Sequence, residues 1–130
     1  MMIEVAAAIL HDDAGSVLIC QRDGKDDCAG LWEFPGGKRE HGEDWHECLV
    51  RECREELEIQ IEVGELYDEF CYAYPEKTIH FRFYLAKIVS GVPCRRVHSQ
   101  LVWAAKKILN EYAFCPADEQ LVARLSAEEN

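Results

Sequence analysis

The sequence predicts an α/β fold, with a mixed sheet packed between helices as a sandwich. Three observations carry that prediction. Residues 3–10, IEVAAAIL, form an apolar run of strand length. Residues 44–57 show helical spacing behind a capping pattern, and strand patterns return at 61–73 and 79–88. Two further helical stretches then close the chain. Mixed strands with two or three helices suit a layered sandwich.

The elements follow in order. Residues 3–10 read as a buried strand, and His11-Asp12-Asp13-Ala14-Gly15 as a turn into a second strand, Val17 to Arg22. A polar loop, DGKDDCAG at 23–30, follows. Trp32-Glu33-Phe34-Pro35 leads into Gly36-Gly37, a pair flexible enough to let backbone approach a ligand closely. Asp44 is placed as an N-cap, and Glu47 three residues on completes a capping box. The helix should run from there to about Leu57. Leu49, Val50, Cys53 and Leu57 form its apolar arc. The strands at 61–73 and 79–88 meet at Tyr74-Pro75-Glu76-Lys77, a hairpin tip that should leave Lys77 solvated. A loop from Val89 to Gln100 precedes a short strand, Leu101-Val102-Trp103, and helices are expected near 104–110 and 117–126. There is no repeat and no linker, so residues 1–130 read as one domain.

Bulk properties narrow the function classes. At 130 residues the chain is long enough to bury a core. Its net charge of −11, from 25 acidic and 14 basic side chains, leaves no electrostatic footprint for a nucleic-acid polymer or an anionic membrane. A small polyphosphate can still bind if a divalent metal screens the site. No stretch approaches the roughly 18 apolar residues of a membrane span. The N-terminus MMIEVAAAIL lacks the basic region and cleavage signal of a secretory peptide, so a cytoplasmic location is expected. Seven cysteines, odd in number and without a C-x2-C pair, read as reduced thiols, several of them buried or half-buried.

The chemistry concentrates in residues 37–59. Glu52, Glu55 and Glu56 stand at i, i+3 and i+4, which a helix gathers on one face. Acidic runs on helices are commonly solvated faces. Like charges at this spacing nevertheless destabilise a helix, and a bound cation would offset the repulsion. Oxygen-only ligands favour Mg²⁺ or Mn²⁺ over zinc, and such ions commonly serve phosphate substrates.

The surrounding pattern resembles the Nudix hydrolase family, whose box is G-x5-E-x7-R-E-U-x-E-E-x-G-U, with U apolar. Gly37, Glu43, Arg51, Glu52, Glu55, Glu56 and Ile59 match it. Cys53 takes an apolar slot, where a free cysteine serves as a small hydrophobe. Glu58 replaces a glycine that suits a left-handed turn closing the helix, at a steric cost. The resemblance implies a mixed sheet between helices and hydrolysis of a nucleoside diphosphate linked to a further group. It makes Glu52 and Glu56 the principal metal ligands, with Glu55 and the Gly36 carbonyl in support. Glu52 or Glu55 would act as general base on the attacking water. Arg51 would orient carboxylates, including Glu43, rather than touch substrate, and Glu43 would anchor the loop to the helix.

The resemblance extends beyond the box to MutT-type nucleoside triphosphate pyrophosphohydrolases. Leu31 to Lys38 is similar to the segment before their helix, which places Glu33 and Phe34 by the substrate. Arg22 matches a substrate-contacting position. Phe114-Cys115-Pro116-Ala117-Asp118 resembles their base-pocket segment, and with the run His98 to Trp103 it looks closest to the CTP pyrophosphohydrolase branch, which also accepts oxidised guanine nucleotides. Asp118, as an ionised acceptor, would read the base, with capping of the last helix as its bland alternative. Phe34 and, more strongly, Trp103 suit the core better than a base stack. Arg22 could equally be a surface charge, and a lone loop histidine such as His98 is expected to be exposed.

These features together read as a Mg²⁺-dependent enzyme, with Mn²⁺ a substitute, that converts a nucleoside triphosphate to the monophosphate and pyrophosphate. Its leading substrates would be 8-oxo-dGTP, CTP or a modified dCTP, in a nucleotide-pool cleansing role. The rival enzyme is a Nudix hydrolase of a nucleotide sugar or dinucleoside polyphosphate, against which the Pro116-Ala117-Asp118 segment argues. A non-catalytic nucleotide sensor should have lost ligands or gained a DNA-binding extension, and neither is seen. Base, sugar and oligomeric state stay open.

Overall fold

A computed structural model describes residues 2–24 and 28–128. Seven strands run β1 (Met2–Leu10), β2 (Val17–Arg22), β3 (Trp32–Glu33), β4 (Gly36–Lys38), β5 (Gln60–Ala73), β6 (Thr78–Ser90) and β7 (His98–Ala104). Helix α1 spans Trp45–Leu57 and α2 spans Glu119–Ser126. Four strands form a mixed sheet in the order β4-β1-β6-β5, where β1 runs parallel to β6 and antiparallel to β4. A second, antiparallel sheet of order β3-β2-β7 completes the layer. Two-residue β3 and three-residue β4 are too short to show a period in sequence, and they were read only as the lead-in to the glycine pair. Lys25 to Asp27 of the expected polar loop lie outside the described residues.

The run Ala6-Ala7-Ala8-Ile9-Leu10 is apolar throughout because β1 is covered on both faces. Ala6, Ala8 and Leu10 face the core under α1, with Leu18, Leu49, Cys53, Leu57 and Tyr84. Ala7 and Ile9 face the opposite core with Ile19, Phe83, Leu109, Leu121 and Leu125, on the side of α2. Strand alternation thus sorts one continuous apolar run into two cores. Truncating Leu49, which is fully buried, to Ala would cost about 2–5 kcal/mol.

Several boundaries differ from the sequence reading, each for a tertiary reason. The loop expected from Val89 to Gln100 is shorter, because β6 keeps pairing with β5 to Ser90 and β7 begins at His98, opposite Arg22. The helix expected at 104–110 is a 3₁₀ turn over Lys106–Glu111, started at Ala105 with no side-chain cap. A 3₁₀ turn, Pro116–Asp118, also precedes α2. Trp103, expected in the core, is 38% exposed. Among the described residues no helix is long and apolar enough to cross a membrane.

Candidate active site

Helix α1 starts where its sequence says it should. The Asp44 carboxylate accepts from the Glu47 N–H at 2.7 Å, and Glu47 returns the bond to the Asp44 N–H at 2.9 Å. The helix ends at Glu58, whose φ of 58° makes it the lone non-glycine residue with positive φ among those described. Two anchors from the following loop hold this end. The Cys94 N–H donates to the Leu57 carbonyl at 2.9 Å, and Arg96 Nη1 donates to the Glu55 carbonyl at 3.1 Å. On the buried face, burial pushes the Cys53 thiol up to about 12, so it stays protonated and packs as a hydrophobe.

The polar face is organised by Arg51. Its Nε and Nη2 donate to the two Glu43 oxygens at 2.6 and 3.0 Å. Its Nη1 donates to Glu52 at 2.8 Å and to Glu55 at 3.0 Å, and Nη2 also donates to the Lys38 carbonyl at 3.0 Å. The Arg51 hydrogen bonds hold the Glu43 carboxyl down at about 2. A fork of five donors ties the approach loop to the helix in one geometry.

The glycine pair serves two different contacts. Gly36 has φ 152°, and a Cβ there would sit 2.1 Å from the Ala6 carbonyl oxygen, so β4 can lie on β1 only with glycine. At Gly37 a Cβ would sit 2.4 Å from the Glu52 carboxylate. The absent side chain of Gly37 is the space that Glu52 occupies.

Glu52 and Glu56 lie within hydrogen-bonding reach of each other. Burial raises the Glu56 carboxyl to about 8, and the charges of Glu52 and Glu33 add to the shift. Glu56 Oε1 is buried with no hydrogen-bond partner. Glu55 is the outlying member, its side chain 56% exposed. Beyond Glu56 opens a cleft of about 200 Å³ lined by Arg22, Asp23, Glu33, Glu56, Val97 and His98. A more open hollow of about 320 Å³ on the outer face of α1 touches none of the acidic trio.

The Nudix domain family matches residues 5–124. The chain is 39% identical to the CTP pyrophosphohydrolase of Escherichia coli over 126 residues, 97% of this chain and 93% of that protein. It is 38% identical to the 8-oxo-dGTP diphosphatase of Haemophilus influenzae over 127 residues, 98% of this chain and 93% of that one. The chain belongs to the Nudix family. A solution structure of the E. coli ORF135 protein superposes with a TM-score of 0.82 at 39% identity, covering 94% of this chain and 86% of that one. A MutT protein from Methanosarcina mazei, 23% identical, shares the fold with a TM-score of 0.83, covering 95% of this chain and 92% of that one.

Nudix hydrolases generally act with a divalent metal, and the residues here fit one. Two adjacent carboxylates disfavour each other's ionisation, and the orphaned Glu56 oxygen has no donor. A cation would resolve both. Among the described residues no group of three or more His, Cys, Asp or Glu side chains is already assembled as a metal site. Arg51 instead engages Glu52 and Glu55.

At the other end of the cleft, the Nudix fold brings together residues far apart in sequence. Arg22 Nη1 donates to Glu33 Oε1 at 3.0 Å, and His98 Nε2 lies 3.2 Å from Glu33 Oε2. His98, expected exposed, is 7% exposed, because β7 extends far enough to pair it with Arg22. Sequence offered one clue, its place three residues ahead of the apolar strand read at Leu101-Val102-Trp103. Phe34 is 4% exposed and stacks on Phe114 with centroids 5.4 Å apart, so its ring packs in the core. Asp118 makes no capping hydrogen bond to α2, which removes the capping alternative. Its buried carboxyl is pushed well above the usual range, first by burial and then by the Glu33 charge. Both causes work against the ionised acceptor expected from sequence and favour the neutral acid.

Proposed function

We propose that this chain is a Mg²⁺-dependent nucleoside triphosphate pyrophosphohydrolase, with Mn²⁺ as a substitute, that acts on 8-oxo-dGTP, CTP or a modified dCTP. The observation that carries the reading is near full-length similarity to a CTP pyrophosphohydrolase and an 8-oxo-dGTP diphosphatase, joined to a carboxylate pair whose Glu56 lines a cleft shared with Arg22, Glu33 and His98. Release of the monophosphate and pyrophosphate would cleanse the nucleotide pool.

In this reading Glu52 and Glu56 hold the metal, with Glu55 and the Gly36 carbonyl in support. When bound, the metal neutralises phosphoryl charge and lowers the cost of generating a nucleophile from water. Glu52 or Glu55 takes the proton of the attacking water. Arg51 keeps both within reach of that task through its shared Nη1, while its bond to Glu43 fixes the loop. Arg22 and Glu33 line the substrate side, and Phe34 backs the wall of the base pocket from the core.

Held neutral, as its burial favours, Asp118 would offer one donor and one acceptor side by side. Cytosine presents the complementary pair, an N3 acceptor beside N4–H donors. The 8-oxoguanine edge presents N7–H beside O6, again one donor and one acceptor. Unmodified guanine presents acceptors at both N7 and O6, so one of the two bonds is lost. A required hydrogen bond can discriminate by as much as about 10⁴.

Initial rates with Mg²⁺ across CTP, dCTP, modified dCTP, 8-oxo-dGTP and dGTP test the proposal. CTP or 8-oxo-dGTP should lead and dGTP should trail. Higher rates with nucleotide sugars or dinucleoside polyphosphates would replace the proposal with its rival.

A further inference from the structure

Among the described residues, His98 and Asp118 are the buried polar or charged side chains, and both lie close to Glu33. His98 belongs to β7, Arg22 to β2 and Glu33 to β3, so the three residues cross every strand of the smaller sheet. Each Glu33 oxygen has its own partner, Arg22 Nη1 at 3.0 Å and His98 Nε2 at 3.2 Å. His98 Nδ1 is buried with no partner. An apolar side chain would fill the same position without leaving a nitrogen unsatisfied, so stability alone does not account for histidine here. His98 also lines the cleft that Glu56 lines.

We propose that His98 is a positioning residue for nucleotide binding, holding Glu33 in place while Arg22 turns to the substrate's polyphosphate. The assignment rests on the nucleotide reading above and adds a residue to it. A polyphosphate competes strongly for a guanidinium, because both bind through charge-assisted bonds. Once Arg22 engages it, Glu33 loses a cationic partner while facing Glu56 and Asp118, whose charged forms it opposes. The bond from β7 keeps the Glu33 carboxylate from swinging into the cleft. With Nε2–H donating to Glu33, Nδ1 is left as the unpaired acceptor.

The two ring nitrogens can be separated by substitution. The amide of His98→Gln reaches the position of Nε2, whereas the amide of His98→Asn reaches only that of Nδ1. With CTP and 8-oxo-dGTP as probes, His98→Asn should raise KM about tenfold with kcat little changed, the loss of one hydrogen bond to a charged group. His98→Gln should restore most of that KM. In a Glu33→Gln background, His98→Asn should add almost nothing, because the two residues act as one unit. A readout independent of turnover is the imidazole ¹⁵N spectrum of His98. It should show a protonated Nε2 in the wild type and a shift of that resonance in Glu33→Gln. Additive effects, a KM unmoved in His98→Asn, or a better rescue by Asn than by Gln would overturn the assignment while leaving the nucleotide reading standing. A wild-type protein that neither binds nor hydrolyses any nucleoside triphosphate would overturn the nucleotide reading, and the assignment with it.

Discussion

At the helix end of the cleft, Arg51 satisfies Glu43, Glu52 and Glu55 and a loop carbonyl, all drawn from residues 38–55. At the sheet end, Glu33 is held by Arg22 and His98 from two other strands, and Asp118 arrives from a fourth segment. The first region is local in sequence and rich in cationic donors. The second is assembled only by folding and holds a buried acid and an unpaired imidazole nitrogen, and where the two regions meet the Glu56 oxygen has no donor. The difference teaches where each task sits: satisfied polar groups fix geometry, and unsatisfied ones mark where a ligand completes the site.

The largest expected effect breaks the helix end. Glu52→Gln and Glu56→Gln should each lower kcat by more than about a hundredfold at saturating Mg²⁺. Both should fold, since each removes a carboxylate that opposes its neighbour. Thermal melts alongside single-turnover rates check both halves of this statement.

At the sheet end, the proposed base reader is Asp118. Asp118→Asn keeps one donor and one acceptor and should keep most of the preference for CTP and 8-oxo-dGTP over dGTP. Asp118→Ala should shrink that preference by about tenfold or more while leaving metal dependence unchanged. If Asn proved as indifferent as Ala, the carboxyl would be working as an ionised acceptor after all.

The two glycines sharpen the comparison within a single loop. Gly37→Ala pushes the Glu52 carboxylate, a movable group, so it should cut kcat about tenfold with little change in melting temperature. Gly36→Ala meets the Ala6 backbone in a left-handed conformation and should destabilise the fold by about 2–4 kcal/mol. Equal effects from the two would break the distinction between a site glycine and a fold glycine.

Stability against pH should separate two carboxyls of the same motif. Glu43 is lowered to about 2 from 4.5, so its contribution is present above 4.5 and lost as pH falls towards 2. Glu56 is raised to about 8 from 4.5, so its contribution is present below 4.5 and lost as pH rises through 8. In chelator-treated protein, Glu56→Gln should flatten the alkaline limb of a melting-temperature profile and leave the acid limb intact. The smallest effect is at the helix end itself. Glu58→Gly relieves a left-handed glutamate and should stabilise by about 1 kcal/mol in denaturant titrations, with kcat unchanged.

The same contrast explains what was legible. The capping box, the span of α1, the second strand and the left-handed position at residue 58 were readable because each depends on neighbours within a few residues. Strands β3 and β4 were not readable, since they are too short to show a period and exist through pairing with β2 and β1. His98 looked like a loop residue because its burial comes from a cross-strand partner 76 positions away in sequence, Arg22. Trp103 alternates with core residues on β7 yet lies on the exposed face. The upward shift of the Asp118 carboxyl comes from enclosure and from Glu33, neither of which a sequence displays.

Hydrolysis of CTP or 8-oxo-dGTP in ¹⁸O-water with Mg²⁺ tests the central claim most directly. Attack at the β-phosphorus, as the pyrophosphohydrolase reading requires, predicts that the label enters pyrophosphate and that the monophosphate stays unlabelled. Label in the monophosphate would place attack at the α-phosphorus, and orthophosphate as the first product would contradict the reading altogether.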